Sequence, residues 1–342
     1  MSPEKEMPSI ILFHYKRSPY AGKVTTYLRL LGQDYAECIQ PVIMPRPDLS
    51  ALGVSYRRIP VCAINGQIYC DTHLITKELE KIVGSNGCLG ETEKTKDMQA
   101  MEDAWEDWAD ATFFTVVKCL PKELATIMPP GFWEDRMAYA GTSRPTSLEE
   151  AAIARKKGLV GVKMAFEHLE YGVLADNRPF LLSGRDTPTL ADLKSSWVLE
   201  FAKNLPGVLS EAGVTAETFP KTLSWIERFR SFVNGKNEVE VRAVSGKEAK
   251  EAILHQYETT GNVGVAFDQA NDLGLVEGSQ KVEVLPTDVG RTHPQAGSLV
   301  GLDSDRLTLE TKTPEGSPVL VHFPRRHFEI VGLATRKNEL KL

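Results

Sequence analysis

The sequence predicts three successive parts: an α/β layer over residues 8–90, an all-α helical bundle over 91–235, and a small, mainly antiparallel β extension over 236–342. Three observations carry this reading. Up to about residue 90, short β-capable runs alternate with helical periodicity. From there to about 235 the period is helical throughout. Beyond 235, short apolar strands are separated by Gly, Asp and Pro. With 342 residues the chain exceeds one ordinary core, so several domains are expected.

The first strand is "SIILFHY", and the helix that follows is "SPYAGKVTTYLRLLG". There Val24, Tyr27, Leu28 and Leu31 recur at helical spacing, and Gly32 is the stop. "DYAECIQPV" returns as a strand. After a Pro-containing loop, "IPVCAINGQIYCD" reads as two short strands around Asn65-Gly66, and "DTHLITKELEKIVG" as a helix. Asn-Gly between apolar runs is the strongest short hairpin signal, because both turn residues must accept positive φ. The order βαβ, connection, ββα describes a thioredoxin-like layer.

A two-residue turn at Asn65-Gly66 fixes the pairing: Ile64 faces Gln67, Cys62 faces Tyr69, Val61 faces Cys70, and Pro60 faces Asp71. Cys62 and Cys70 then project from opposite faces, where a disulfide is geometrically poor. Pro60 suits a strand start, where a missing N–H is tolerated, and the backbone of Val61 is expected to lie open to an extended ligand. Asp71-Thr72 opens the next helix, whose free N–H groups and dipole favour an anionic group. Asp71 also suits an ammonium, so a short peptide with an α-amine and an α-carboxylate fits this corner. Taken alone, Asp71 is better explained as a plain helix cap and Pro60 as a plain strand start; it is their combination with Ser-Pro and Thr72 at these spacings that points to a ligand.

In the bundle, Met98, Met101, Trp105, Trp108, Thr112 and Val116 form one stripe of a long helix ending near Pro121. A second helix is read from Ser147 to Leu174, a third at "TPTLADLKSSWVLEF" and a fourth at "FPKTLSWIERFRSF", with the Pro/Gly-rich insertion "MPPGFWEDRMAYAGTSRP" between the first two. In the tail, "GKEAKEAILHQYETT" is a helix. "KVEVLP", "GSLVGL", "RLTLET", "PVLVHF" and "FEIVGL" are short strands of a small antiparallel sheet or barrel.

A net charge of −6 argues against nucleic acid or an anionic membrane as the main partner. No run approaches the roughly 18 apolar residues of a membrane span, and "MSPEKEMPS" contains no apolar signal core, so a cytoplasmic location is expected. Cys38, Cys62, Cys70, Cys88 and Cys119 form no CxxC and no metal-ligand spacing with the seven histidines; no metal is expected.

Taken together, these motifs resemble the glutathione transferase superfamily. "IPV" (Ile59, Pro60, Val61) resembles the loop whose cis-proline precedes the strand that pairs with the cysteinyl part of glutathione. "DTHLI" resembles the Glu/Asp-Ser-x-x-Ile motif for the γ-glutamyl end, with Thr72 keeping the hydroxyl. "TPTLADL" is similar to the family's folding signature, a capping box at Thr189 and Asp192. The resemblance covers about residues 9–235. The tail departs from the family's usual two-domain pattern and is similar to the extension of some fungal members, several of them from natural-product pathways. Neither the usual dimer geometry nor an open substrate cleft carries over with it, and a homodimer is left open.

The resemblance implies glutathione as co-substrate and Ser18 as the residue that faces its sulfur. "SPYAGKV" resembles the family's cysteine-type entry with serine in place of cysteine, while Phe13, aligned with the catalytic tyrosine of other classes, has no hydroxyl. A helix N-terminus lowers thiol pKa values from about 8.5 to about 7 or below, so glutathione held there is expected as thiolate. Ser18 with Pro19 is also a favoured helix start; Tyr15, Tyr20 and His14 are alternative donors, and Arg58 is a candidate for a glutathione carboxylate. The second substrate is expected to be a small apolar electrophile in a pocket of Tyr20, Trp105, Trp108, Thr112 and Trp133. A glutathione-independent isomerase, dehydratase or lyase on the same fold, and a non-catalytic interaction protein, are the alternatives.

Overall fold

The computed structural model describes residues 7–83, 95–121, 127–141, 147–261 and 265–332. The boundary expected near residue 90 and Cys88 lie outside these. The N-terminal layer runs β1 (Ile10–His14), α1 (Pro19–Leu31), β2 (Tyr35–Ile39), a single turn α2 (Pro47–Ser50), β3 (Val61–Ile64), β4 (Gln67–Cys70) and α3 (Thr72–Val83). β1 pairs parallel with β2 and antiparallel with β3, which is the thioredoxin-like order the sequence predicts.

The hairpin adopts the register read from its turn: Ile64 opposite Gln67, Cys62 opposite Tyr69, Val61 opposite Cys70. Asn65 and Gly66 both have positive φ, at 50° and 80°. Gly66 is required for a second reason, since a Cβ there would lie 2.3 Å from the backbone nitrogen of Tyr257. Cys62 packs in the core beneath α1 and Cys70 in the core on the opposite face, so no disulfide joins them.

The bundle comprises α4 (Lys96–Val116), α5 (Phe132–Ala140), α6 (Leu148–Glu167), a π-helical turn (His168–Val173), α7 (Leu190–Asn204), α8 (Val208–Glu211) and α9 (Pro220–Asn234). Its organising residue is Asp192, fully buried at the start of α7. The carboxylate accepts from the backbone N–H of Thr189 at 2.8 Å and of Leu181 at 2.9 Å, and from the Trp225 indole on α9 at 2.7 Å. Buried acceptors survive only when satisfied this fully.

The tail adds β5 (Val241–Ala243), α10 (Gly246–Thr260) and strands β6 (Lys281–Pro286), β7 (Gln295–Leu302), β8 (Arg306–Lys312), β9 (Pro318–Pro324) and β10 (Phe328–Gly332). Its strands are antiparallel among themselves from β10 to β9, as expected. They do not stand apart from the first layer. β9 pairs parallel with β4, and β5 pairs parallel with β2, giving one ten-stranded sheet in the order β10-β6-β7-β8-β9-β4-β3-β1-β2-β5. One apolar face therefore runs from Phe13, Val61 and Cys70 through Val319, Val321 and Phe323. Among the described residues no helix is long and apolar enough to cross a membrane.

Candidate active site

A cavity of about 1650 Å³ opens where the first layer, the bundle and the tail meet, and Ser18, Arg58, Ile59, Pro60, Asp71 and Thr72 all line it. The fold brings them together through three junctions: the end of β1 into α1, the loop into β3, and the turn from β4 into α3. Ile59-Pro60 is a cis peptide bond. Val61 is a correction to the expected site. Lying in the interior of the sheet, it pairs with Phe13 on one side and Cys70 on the other, so its backbone offers nothing to a ligand. The backbone of Ile59, just ahead of the strand, has no hydrogen-bond partner among the described residues and faces the cavity.

Ser18 is the N-cap of α1, with φ −68° and ψ 120° and Pro19 at the first helical position. Its Oγ accepts from the Ala21 N–H at 3.3 Å. That bond uses the oxygen as acceptor and leaves the hydroxyl proton available to a partner in the cavity. The two readings of Ser18 are thus geometrically compatible. Of the other hydroxyl and imidazole candidates, Tyr15 and Tyr20 line the cavity, whereas His14 is turned to Glu37 at 3.2 Å.

The four thiols among the described residues are poor nucleophiles. Burial pushes up Cys38, to about 12, as well as Cys62, Cys70 and Cys119.

Asp71 stands at φ 74°, a backbone region that Asp and Asn tolerate better than other side chains. Its Oδ1 accepts from the His73 N–H at 2.9 Å. Thr72 is buried beside it. Arg58 reaches the same space from below, but the tail holds it: its guanidinium pairs with the Asp288 carboxylate and donates to the Val289 carbonyl at 2.5 Å. The same β6–β7 loop is fastened to α5, where the Gly290 N–H donates to the Tyr139 carbonyl at 2.7 Å. Asp288 and Val289 line the cavity, so the tail supplies part of its wall.

The apolar wall comes from α4, α5 and α7. Phe113, Phe114 and Val117 of the α4 end face Phe132, Trp133 and Met137 of α5 and Trp197 and Phe201 of α7. Tyr20 packs against Phe113 and Trp197, with ring centroids 5.1 and 4.5 Å away. Tyr20 and Trp133 line the cavity. Trp105, Trp108 and Thr112 are not among its lining residues. The two indoles lie 5.4 Å apart and each packs against His168, while the Thr112 hydroxyl donates to the Trp108 carbonyl at 2.8 Å. The helix is the expected one, but the cavity takes its other face, Asp110, Phe113, Phe114 and Val117, spaced i, i+3, i+4 and i+7.

Two polar features went unread in the sequence. The Tyr20 hydroxyl donates to Asp110 Oδ1 at 3.0 Å, and Asp110 lines the cavity. Burial, aided by the negative charges of Glu106 and Asp71 and opposed by Lys23, raises its carboxyl to about 6. Beneath it, buried Glu106 ties α4 to three other elements: Lys23 of α1 at 2.7 Å, His73 of α3 at 2.8 Å and Lys194 of α7 at 3.0 Å. Burial alone would raise this carboxyl, but the two ammoniums hold it well below the usual range. His73, Asp103 and Glu106 are close enough to share a cation. Lys194, 3.1 Å from Asp103 and 3.0 Å from Glu106, already supplies that charge.

Residues 12–87 match the model of the glutathione S-transferase N-terminal domain, and residues 115–238 match a domain of unknown function, DUF7962. No protein of curated function matches the sequence. Among solved structures, a GST-like protein from Pseudomonas syringae is 22% identical and superposes with a TM-score of 0.68 over 95% of this chain and 100% of its own. The three-part fold therefore occurs in a bacterial protein. A glutathione S-transferase from Sinorhizobium meliloti is 17% identical, with a TM-score of 0.48 over 66% of this chain and 89% of its own. The beta-etherase LigF from Sphingobium is 15% identical, with a TM-score of 0.47 over 73% and 99%. Residues 12–87 thus match the glutathione S-transferase N-terminal domain, and the chain as a whole shares the fold of a GST-like protein.

Proposed function

We propose that the protein is an enzyme that binds glutathione at the Ser18 corner and directs its sulfur at a small apolar electrophile. The observation that carries this reading is the convergence of Ser18, Ile59-cis-Pro60 and Asp71-Thr72 on a cavity whose far wall is aromatic. In this reading the cysteinyl backbone lies along Ile59, and Asp71 takes the amine of the γ-glutamyl end while Thr72 takes its carboxylate. The sulfur faces the Ser18 hydroxyl at the start of α1, where a lowered thiol pKa of ~2 units corresponds to about 2.7 kcal/mol of differential stabilisation. The resulting thiolate attacks a substrate held among Tyr20, Phe113, Phe114, Trp133 and Trp197.

The three segments divide the labour: 8–90 holds glutathione, 91–235 supplies the apolar wall, and 236–342 closes the cavity at Asp288. The four cysteines among the described residues are free and buried, which suits a reducing cytoplasm.

Isothermal titration of glutathione into the wild type and into Asp71→Asn tests the reading. Asn keeps the tolerance for positive φ, so the variant removes charge without straining the turn. Binding to the wild type, weakened about tenfold or more in the variant, is expected. A wild type that releases no heat and shows no saturation overturns the proposal.

A further inference from the structure

The apolar cavity contains one feature that a simple thiol transfer does not use. Asp110 is set into an aromatic wall with one oxygen held by the Tyr20 hydroxyl at 3.0 Å. Its other oxygen has no partner among the described residues, and the side chain borders the cavity. Tyr20 is itself locked by ring contacts with Phe113 and Trp197, so the carboxyl is presented in one orientation. Placed two residues after Ser18, Tyr20 ties this carboxyl to the helix start that faces the sulfur.

We propose that Asp110, positioned by Tyr20, is a general acid for the second substrate, so that the site favours electrophiles whose addition places negative charge on oxygen, such as enones and enals, over aryl halides. This inference rests on the glutathione reading above. The thiolate sulfur forms the new bond at the β-carbon, the alkene π pair moves toward the carbonyl, and the oxygen that becomes enolate takes the proton from the free Asp110 oxygen. The carboxylate left behind regains a proton from water, which received one when the thiol ionised. Reactants and product therefore balance as glutathione plus enone giving one adduct. An aryl halide needs no such proton, because it expels a halide ion.

The protonation state suits the task. The charged and titratable groups facing Asp110 are Tyr20 and Lys23 of α1, Glu106 one turn earlier on α4, and Asp71 at the head of α3; Lys194 of α7 faces Glu106. Lys23 is engaged with Glu106 at 2.7 Å. Burial and the two carboxylates prevail, leaving a carboxyl at about 6 that is partly protonated near neutral pH.

The test compares turnover of benzylidene acetone and of chlorodinitrobenzene with glutathione by the wild type, Asp110→Asn and Tyr20→Phe. The enone-to-halide rate ratio is expected to fall about a hundredfold in Asp110→Asn. The alkaline limb of the wild-type enone profile near pH 6 is expected to vanish in that variant and to move upward in Tyr20→Phe, where the carboxyl loses a donor. An unchanged ratio, or a limb that persists in Asp110→Asn, overturns the proposal. If Asp110→Asn does not fold, the limb in Tyr20→Phe decides, and no movement there is fatal. Glutathione titration into the wild type is the separate control: no binding overturns both readings, whereas binding with an unchanged ratio overturns this one alone.

Discussion

The imidazole of His322 on β9 stacks on the ring of Tyr69 on β4, with centroids 4.5 Å apart and planes inclined by 18°. The same ring is fully buried, bonded to Thr308 through Nδ1 at 2.9 Å and to Gln67 Oε1 through Nε2 at 2.8 Å. Gln67 Oε1 can only accept, so Nε2 carries the proton and the Thr308 hydroxyl donates to Nδ1. This is the joint between the thioredoxin-like layer and the tail.

That joint makes the tail acid-sensitive. Burial, with Arg306 and Lys81 nearby, holds His322 well below its ordinary value. A histidine with a depressed folded pKa contributes stability above its unfolded value near ~6.5, and that stability is lost as pH falls below it. The protection factors of the β8 and β9 amides are expected to fall as pH drops below about 6.5, before those of the bundle do. A uniform loss of protection across the chain over that range would contradict this.

Glu106→Gln is expected to cost about 3–5 kcal/mol in chemical unfolding, because Lys23 is left buried without its counter-charge and Lys194 keeps only Asp103. The wild type should also lose this support as pH falls below about 4.5, since a carboxyl held low in the fold stabilises it only while ionised. A loss under 1 kcal/mol would show the cluster to be idle.

The two roles of Ser18 separate by substitution. Ser18→Ala removes cap and hydroxyl together, whereas Ser18→Asn keeps a capping acceptor and removes the hydroxyl. Both are expected to raise the pKa of bound glutathione by about 1–2 units, read as thiolate absorbance, and to lower kcat at neutral pH about ten- to a hundredfold. Only Ser18→Ala is expected to lose about 1 kcal/mol of stability. Equal thiolate absorbance in wild type and Ser18→Asn would remove the hydroxyl from the mechanism.

Arg58 cannot serve a ligand carboxylate and Asp288 equally well. Asp288→Asn is expected to tighten glutathione about fivefold, near 1 kcal/mol, by freeing the guanidinium and removing a negative charge from the cavity rim. Arg58→Ala in that background should abolish the gain. If the gain survives without Arg58, the effect is not competition for it.

Local signals were fully legible in the sequence. Asn65-Gly66 set the hairpin register, and Thr189 with Asp192 marked the start of α7. What escaped depends on long-range pairing. After a strand start at Pro60, the backbone of Val61 reads as open, and only the sheet order reveals that both its sides are taken. Helix α4 is apolar on two faces, so periodicity alone could not choose between Trp105 and Trp108, which pack on His168, and Phe113 and Phe114, which line the cavity. Nothing local links Arg58 to Asp288 or His322 to Gln67, pairs that lie 230 and 255 positions apart.

Because β4 is closed by a strand from the far end of the chain, synthesis order imposes a wait. About 250 residues separate Cys70 from Pro318, which at about 5–20 residues per second takes on the order of 12–50 s to translate. Throughout that interval the nascent hairpin carries an unpaired margin beside an uncovered apolar face, the kind of surface that recruits holding chaperones or neighbouring chains. A premature stop ahead of β9 would make that temporary hazard permanent, so truncated products of this gene should be sticky rather than merely inactive.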